Sequence, residues 1–245
     1  MEKIQIIHSP SKEKPFLIIN KPKGLASAPL NPDDKNNALA QVLELYPECK
    51  NVKGKKDIEF GLLHRLDTVT DGLMIIAANQ EVYDFLQNEQ KEGKIIKTYQ
   101  AVCNISNETS DREGFPPLNV KITQDFKITS YFRAFGKGGK EVRPVTEDSG
   151  KAALQKIGKR KLYTTNVKIL EKTDKKCRVE CTISEGYRHQ VRCHLAWAGL
   201  PIENDPLYNP DKKNAEEPIK FSATKIMFEY PKGDLNSYEI TFTWT

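Results

Sequence analysis

Residues 61–77 read Gly61-Leu62-Leu63-His64-Arg65-Leu66-Asp67-Thr68-Val69-Thr70-Asp71-Gly72-Leu73-Met74-Ile75-Ile76-Ala77. Two apolar runs flank a polar turn at Asp67, the pattern of strand, turn and strand. The second run, Leu73 to Ala77, is apolar enough for a strand buried on both faces. A carboxylate at a strand terminus is presented by a rigid scaffold, where functional groups concentrate. An aspartate in such a turn also has a purely local use, hydrogen-bonding its own backbone. Both uses of Asp67 stay open at this level.

Working outward, Phe16-Leu17-Ile18-Ile19 is a second buried-strand run, closed by the turn residues Asn20-Lys21-Pro22-Lys23-Gly24. Later segments alternate with period 2, as half-buried antiparallel strands do. Tyr99, Ala101 and Cys103 share one face, Tyr163, Val167 and Ile169 another, and Val179, Cys181 and Ile183 a third; Ile240, Phe242 and Trp244 finish the chain. Helical spacing occurs from Asn37 to Tyr46, stopped by Pro47. It recurs after Asn79, a fitting N-cap, with Gly93 beyond its end, and from about Arg188 to Ala198, closed by Gly199 and Pro201. Strands and helices do not alternate strictly, which argues against a doubly wound parallel fold. The expected class is α+β: a mainly antiparallel or mixed sheet flanked by a few helices and loops.

Composition narrows the alternatives. The 245 residues carry 38 Lys+Arg against 33 Asp+Glu, a net charge of +5, with 38% hydrophobic and 29% charged residues. That is not the composition of a disordered chain. No apolar run approaches a membrane span, and Met1-Glu2-Lys3-Ile4-Gln5 lacks the apolar core of a secretory signal. The expectation is a soluble cytoplasmic protein with no membrane partner. Five irregularly spaced cysteines (Cys49, Cys103, Cys177, Cys181, Cys193) fit small, mostly buried thiols in a reducing compartment. Length allows one large domain or two small ones, and no Pro/Gly/Ser-rich linker divides the chain.

The positive charge is uneven. Lys156, Lys159, Arg160 and Lys161, then Lys168, Lys172, Lys175, Lys176 and Arg178, crowd the second half. They read either as a solvated hairpin face or as a patch that contacts phosphates. Gly136 to Gly139, with Lys137 and Lys140, reads as a mobile basic loop without the P-loop pattern. A zinc site from Cys177, Cys181, His189, Cys193 and His194 is not expected: residues i and i+4 on a strand stand about 13 Å apart, and no second Cys-x2-Cys pair follows.

Three further segments concentrate chemistry: Lys97-Thr98-Tyr99-Gln100-Ala101; Gly186-Tyr187-Arg188-His189-Gln190-Val191-Arg192-Cys193-His194; and Gly199-Leu200-Pro201-Ile202-Glu203-Asn204-Asp205-Pro206-Leu207-Tyr208. The second opens a helix, whose N-terminus favours an anion. The polar residues of the third fit turn chemistry equally well. Taken with His64-Arg65-Leu66-Asp67-x-x-Thr70-Asp71-Gly72-Leu73 and Asn20-Lys21-Pro22-Lys23-Gly24, they resemble, in order and spacing, the RluA-type RNA pseudouridine synthases. Members of that family carry N-K-P-x-G, H-R-L-D-x-x-T-S-G-L, K-x-Y-x-A, G-R-T-H-Q-I-R-x-H and G-x-P-I-x-G-D-x-x-Y. The chain departs at Asp71 (family serine), at Tyr187-Arg188 (family Arg-Thr) and at Asn204 (family glycine).

The resemblance implies a single catalytic domain over residues 1–245, with its core at about 16–230, and no N-terminal S4-like module. It implies an isomerase that converts uridines of structured RNA, tRNA or rRNA, to pseudouridine without a cofactor or metal. Asp67 is then the nucleophile or base that starts glycosidic cleavage, Arg192 the cation that keeps it ionised, and Tyr99 the ring that stacks on the base. RNA contacts are expected from His64, Arg65, Arg188, His189, Lys137, Lys140, Lys159 and Arg160, and target choice from the loops at 107–118 and 136–161. No obligate protein partner is expected, and the chain reads as a monomer. Two other readings compete: a catalytically silent RNA-binding protein on the same scaffold, and a hydrolytic glycosidase, which needs a second carboxylate such as Asp71.

Overall fold

A computed structural model describes residues 2–106, 114–118, 120–210 and 217–242. In chain order the elements are β1 (Gln5–His8), β2 (Phe16–Lys21), α1 (Ala38–Leu45), β3 (Asp71–Ala77), α2 (Gln80–Lys91), β4 (Ile96–Asn104) and β5 (Phe126–Phe135). They continue with β6 (Glu141–Val145), α3 (Lys151–Leu154), β7 (Tyr163–Lys172), β8 (Lys176–Ile183), α4 (Gln190–Trp197), β9 (Phe221–Glu229) and β10 (Leu235–Glu239). The class is α+β. The chain groups into two compact units, Met1–Lys97 with Ser222–Phe242, and Thr98–Phe221 with Thr243–Thr245.

In the first unit β1, β2 and β3 are antiparallel neighbours, and β10 runs antiparallel to β9. A parallel pairing of β3 with β9 sets Asp71 opposite Ser222 and Gly72 opposite Ala223, which makes the sheet mixed. Gly72 has φ +121°, and a side chain there would run into the Ala223 carbonyl, so only glycine allows this close approach. Asn37 and Asn79 cap α1 and α2, accepting the Ala40 and Val82 amides at 2.8 and 2.9 Å. The core gathers Phe16, Ile18, Leu73, Ile75, Val82, Leu86 and Phe228.

In the second unit β5 pairs antiparallel with both β6 and β7, and β7 with β8. Along β7, Tyr163, Thr165 and Val167 are buried while Thr164, Asn166 and Lys168 are exposed, the alternation of a sheet with one wet face. All eight residues of α4 are buried. Its polar members must therefore find partners inside the protein.

Three expectations move. The first apolar run of residues 61–66 is not a strand. Gly61 and Leu63 bond to Ala77 and Ile75 for one bridge only. The next amide, Ile75 N–H, donates to the His64 ring Nε2 at 3.3 Å instead of a carbonyl, which ends the ladder and frees the chain to turn at Asp67. The third helix begins at Gln190 rather than Arg188 because His189 has φ +57° and cannot lie inside a right-handed helix. The last strand is Leu235–Glu239, placed by the turn in which Tyr230 N–H donates to the Asp234 carbonyl. Ile240 follows that strand, donating its amide to the Thr224 carbonyl. Trp244, and residues 107–113 of the loop expected to choose the RNA, lie outside the described residues.

Candidate active site

In the first unit Asp67 stands, half-buried, on the loop that leads into β3. That loop is pinned by the segment after β2. Gly24 N–H donates to the Thr68 carbonyl at 2.8 Å. The buried Ser27 hydroxyl donates to the Leu66 carbonyl at 2.7 Å and accepts the Leu66 amide at 3.0 Å. Thr70 N–H closes the turn onto the Asp67 carbonyl at 3.0 Å. The turn is thus fixed by main-chain groups and one serine.

Lys21, the last residue of β2, is fully buried and donates through Nζ to the Leu25 and Pro22 carbonyls at 2.7 and 2.9 Å. Burial pushes its ammonium down to about 8, against the opposing pull of the Asp71 and Asp67 carboxylates. A cation therefore lies within the electrostatic field of Asp67. Asp71 accepts the Ser222 hydroxyl and stands 3.5 Å from Lys23 Nζ. His64 has a job inside the fold, accepting the Ile75 amide. Burial, with Lys97 and Lys55, holds its pKa well below the ordinary histidine value, so the ring is neutral. Arg65 is exposed and pairs with Glu59 at 3.3 Å.

In the second unit Tyr99 is buried on β4, its ring stacked on Phe221 at 5.3 Å between centroids and 12° between planes. Arg192, two residues into α4, meets Asp205 bidentately: Nε to Oδ2 and Nη2 to Oδ1, both 2.8 Å. Both side chains are dry, at 2% and 0% exposed. Asp205 Oδ1 also accepts the Leu207 and Tyr208 amides at 2.9 and 3.0 Å, so the turn chemistry expected of this loop is present as well. The Tyr208 ring lies 5.4 Å from the Arg192 guanidinium.

The residues around α4 are tied down individually. Arg188 donates to the Gly139 and Glu141 carbonyls and so fastens the β5–β6 connection that carries Lys137 and Lys140. His189 Nδ1 meets the Tyr208 hydroxyl at 3.0 Å. His194 is fully buried between Thr165 Oγ1 (2.8 Å) and Ser130 Oγ (3.0 Å), and burial drives its pKa down to about 3. Lys159 and Arg160 are exposed on the loop before β7. All five cysteines are buried free thiols. Among the described residues no cluster of His, Cys, Asp and Glu is arranged to hold a metal ion.

In the first unit, then, the buried Lys21 lies in the field of Asp71 and Asp67, and in the second Arg192 is paired with Asp205. The sequence reading assigned no role to Lys21, Asp205 or Phe221. Lys21 and Asp205 lie inside motifs that it quoted. Nothing in the sequence marks Phe221.

A sequence model described as RNA pseudouridylate synthase matches residues 15–197. Ribosomal large subunit pseudouridine synthase D of Neisseria meningitidis serogroup B is 26% identical over 227 residues, 93% of this chain and 52% of that protein. The dual-specificity RNA pseudouridine synthase RluA of Pasteurella multocida is 27% identical over 218 residues, 88% of this chain and 84% of that one. The chain thus spans about half the length of the Neisseria relative. The solved structure of human RNA Pseudouridylate Synthase Domain Containing 1 shares the fold, with a TM-score of 0.68 at 18% identity, covering 98% of this chain and 84% of that one.

Proposed function

Because the chain belongs to the RNA pseudouridylate synthase family, we propose that it isomerises uridine to pseudouridine in tRNA or rRNA, its two units acting as one catalytic domain. The N1–C1′ bond breaks, the uracil turns, and a C5–C1′ bond forms. The proton on C5 is lost and N1 takes one up, so no redox partner or water is consumed. Asp67 starts the cleavage as nucleophile or base. The observation that carries this role is a carboxylate on a turn pinned by Gly24, Ser27 and Thr70, with the buried Lys21 ammonium acting on it.

Tyr99, its ring plane set by Phe221, stacks on the target base. Arg192, aligned by Asp205, stabilises the negative charge of the reacting groups. A uridine within a helix must be flipped out, at a cost of a few kcal/mol. Lys137, Lys140, Lys159, Arg160, Arg65, Arg188 and His189 contact the RNA and offset that cost. His64 acts next to them by holding the backbone where Asp67 turns. The same reading places the protein in the cytoplasm as a monomer; its five free thiols support a reducing compartment. Among the described residues no helix is long and apolar enough to cross a membrane.

The test is tritium release from RNA labelled at uridine C5. Release with pseudouridine in the digested product supports the synthase. Free uracil would instead mark a hydrolase, and binding without release a silent RNA-binding protein.

A further inference from the structure

We propose that a cavity in the second unit, lined by Arg133, Lys151 and Lys156, seats a backbone phosphate of the RNA outside the target nucleotide; this rests on the synthase reading above. The cavity holds about 390 Å³, and the rest of its lining is Gly150, Ala152 and Ala153. Three cations face it and no carboxylate does. The two acids just before it in sequence, Glu147 and Asp148, are not among the lining residues, and Glu147 accepts the Tyr131 hydroxyl at 3.4 Å.

The loop that forms one wall is attached to the strand that forms the other. Ile157 bridges to Arg133 on β5, and Gly158 N–H donates to the Phe132 carbonyl at 3.2 Å. On that strand Arg133 stands directly opposite Arg143 of β6, a like-charge cross-strand pair that is unfavourable by itself. Both guanidiniums lie over the Phe135 ring, at 5.0 and 4.4 Å, and Arg143 also over Phe115 at 4.6 Å. Arg143 has a carboxylate, Glu141, at 3.0 Å. Arg133 has none among the described residues, and its Nε is buried without a hydrogen-bond acceptor. Burial and the charge of Arg143 both push its pKa down.

A guanidinium held beside a repelling cation is costly, and an anion in the cavity that Arg133 lines relieves that repulsion. The wall opposite Arg133 explains why the anion is a backbone phosphate rather than a base edge. Glycine and two alanines offer no side-chain donor or acceptor, so this surface reads charge and shape and not sequence.

The test is RNA binding by the full chain, followed by fluorescence anisotropy as salt is raised. Lys151→Ala/Lys156→Ala is compared with a charge-matched control, Lys3→Ala/Lys12→Ala. The cavity variant is expected to bind about tenfold more weakly and to flatten the log–log salt slope by about 0.7–0.9, the loss of one phosphate contact. A slope equal to the control's overturns the proposal. In a second arm, inorganic phosphate replaces chloride in thermal unfolding. Stabilisation lost in the cavity variant, with RNA binding unchanged, assigns the cavity to free phosphate and overturns the RNA assignment. The synthase reading fails separately: a wild type that releases no tritium, yet shows the slope change, keeps the phosphate seat and loses the isomerase.

Discussion

Asp67 and Asp205 are both aspartates of motifs that the family shares, and they are built into the protein in opposite ways. Asp205 is dry and receives four N–H donors at 2.8–3.0 Å, two from the Arg192 fork and two from its own turn. Around Asp67 the turn is held instead by Gly24, Ser27 and Thr70, and the carboxylate stands half-exposed with Lys21 buried nearby. A carboxylate held by four N–H donors of its own chain maintains structure. On the proposed reading, one mounted on a loop that other groups hold in place meets the substrate, and the two motifs divide the labour between holding and reacting.

The comparison breaks most visibly at Asp205. Asp205→Ala removes the carboxylate that faces the buried Arg192 charge, and breaking a buried pair of this kind costs about 3–5 kcal/mol. Denaturant unfolding at neutral pH should show that loss. A cost below about 1 kcal/mol would mean that the pair is wet and that the two aspartates are not so different.

A second probe sharpens the contrast through pH. His194 is buried neutral, its folded pKa of about 3 lying below the unfolded 6.5. The unfolded chain therefore binds the extra proton between those values, so the stability is complete above pH 6.5 and is lost as pH falls toward 3. Between pH 6.5 and 5 this amounts to about 2 kcal/mol from His194 alone. His64, also lowered by burial, adds in the same direction. His194→Gln should flatten the dependence, measured as denaturant midpoints at the two pH values; an unchanged slope would contradict the buried, neutral ring.

The smallest effect is expected at Asp71. Its ion pair with Lys23 is more than a quarter exposed on both sides, where such pairs contribute under about 1 kcal/mol, and a serine there can still accept the buried Ser222 hydroxyl. Asp71→Ser, which installs the family residue, should unfold within that margin of wild type and retain tritium release. Loss of release would give Asp71 a part in the chemistry and move it to the reacting side of the comparison.

Much of the fold was legible because it obeys simple periodicities. The apolar runs 16–19 and 73–77 are β2 and β3, and the capping asparagines Asn37 and Asn79 open α1 and α2. What escaped broke those rules for physical reasons. At the start of β9, Phe221 to Thr224 are all buried, with Ser222 and Thr224 among them, so no alternation marks the strand. Residues 61–66 look like a strand but lose their ladder to the His64 ring. The site was legible as motifs rather than as contacts. Arg192 was expected to serve Asp67, and its bidentate pairing with Asp205, 13 residues on, depends on where α4 sets the guanidinium. Lys21 reads as a turn lysine until the fold buries it.

The division of labour is tested most directly at Asp67, with turnover and stability measured on one sample. Asp67→Asn, a near-isosteric change at a half-exposed loop position, should abolish tritium release from C5-labelled RNA while its denaturant midpoint stays within about 1 kcal/mol of wild type. Tritium release at the wild-type rate would contradict the assignment of Asp67 as the reacting carboxylate. A stability loss as large as that of Asp205→Ala would contradict the distinction between the two aspartates.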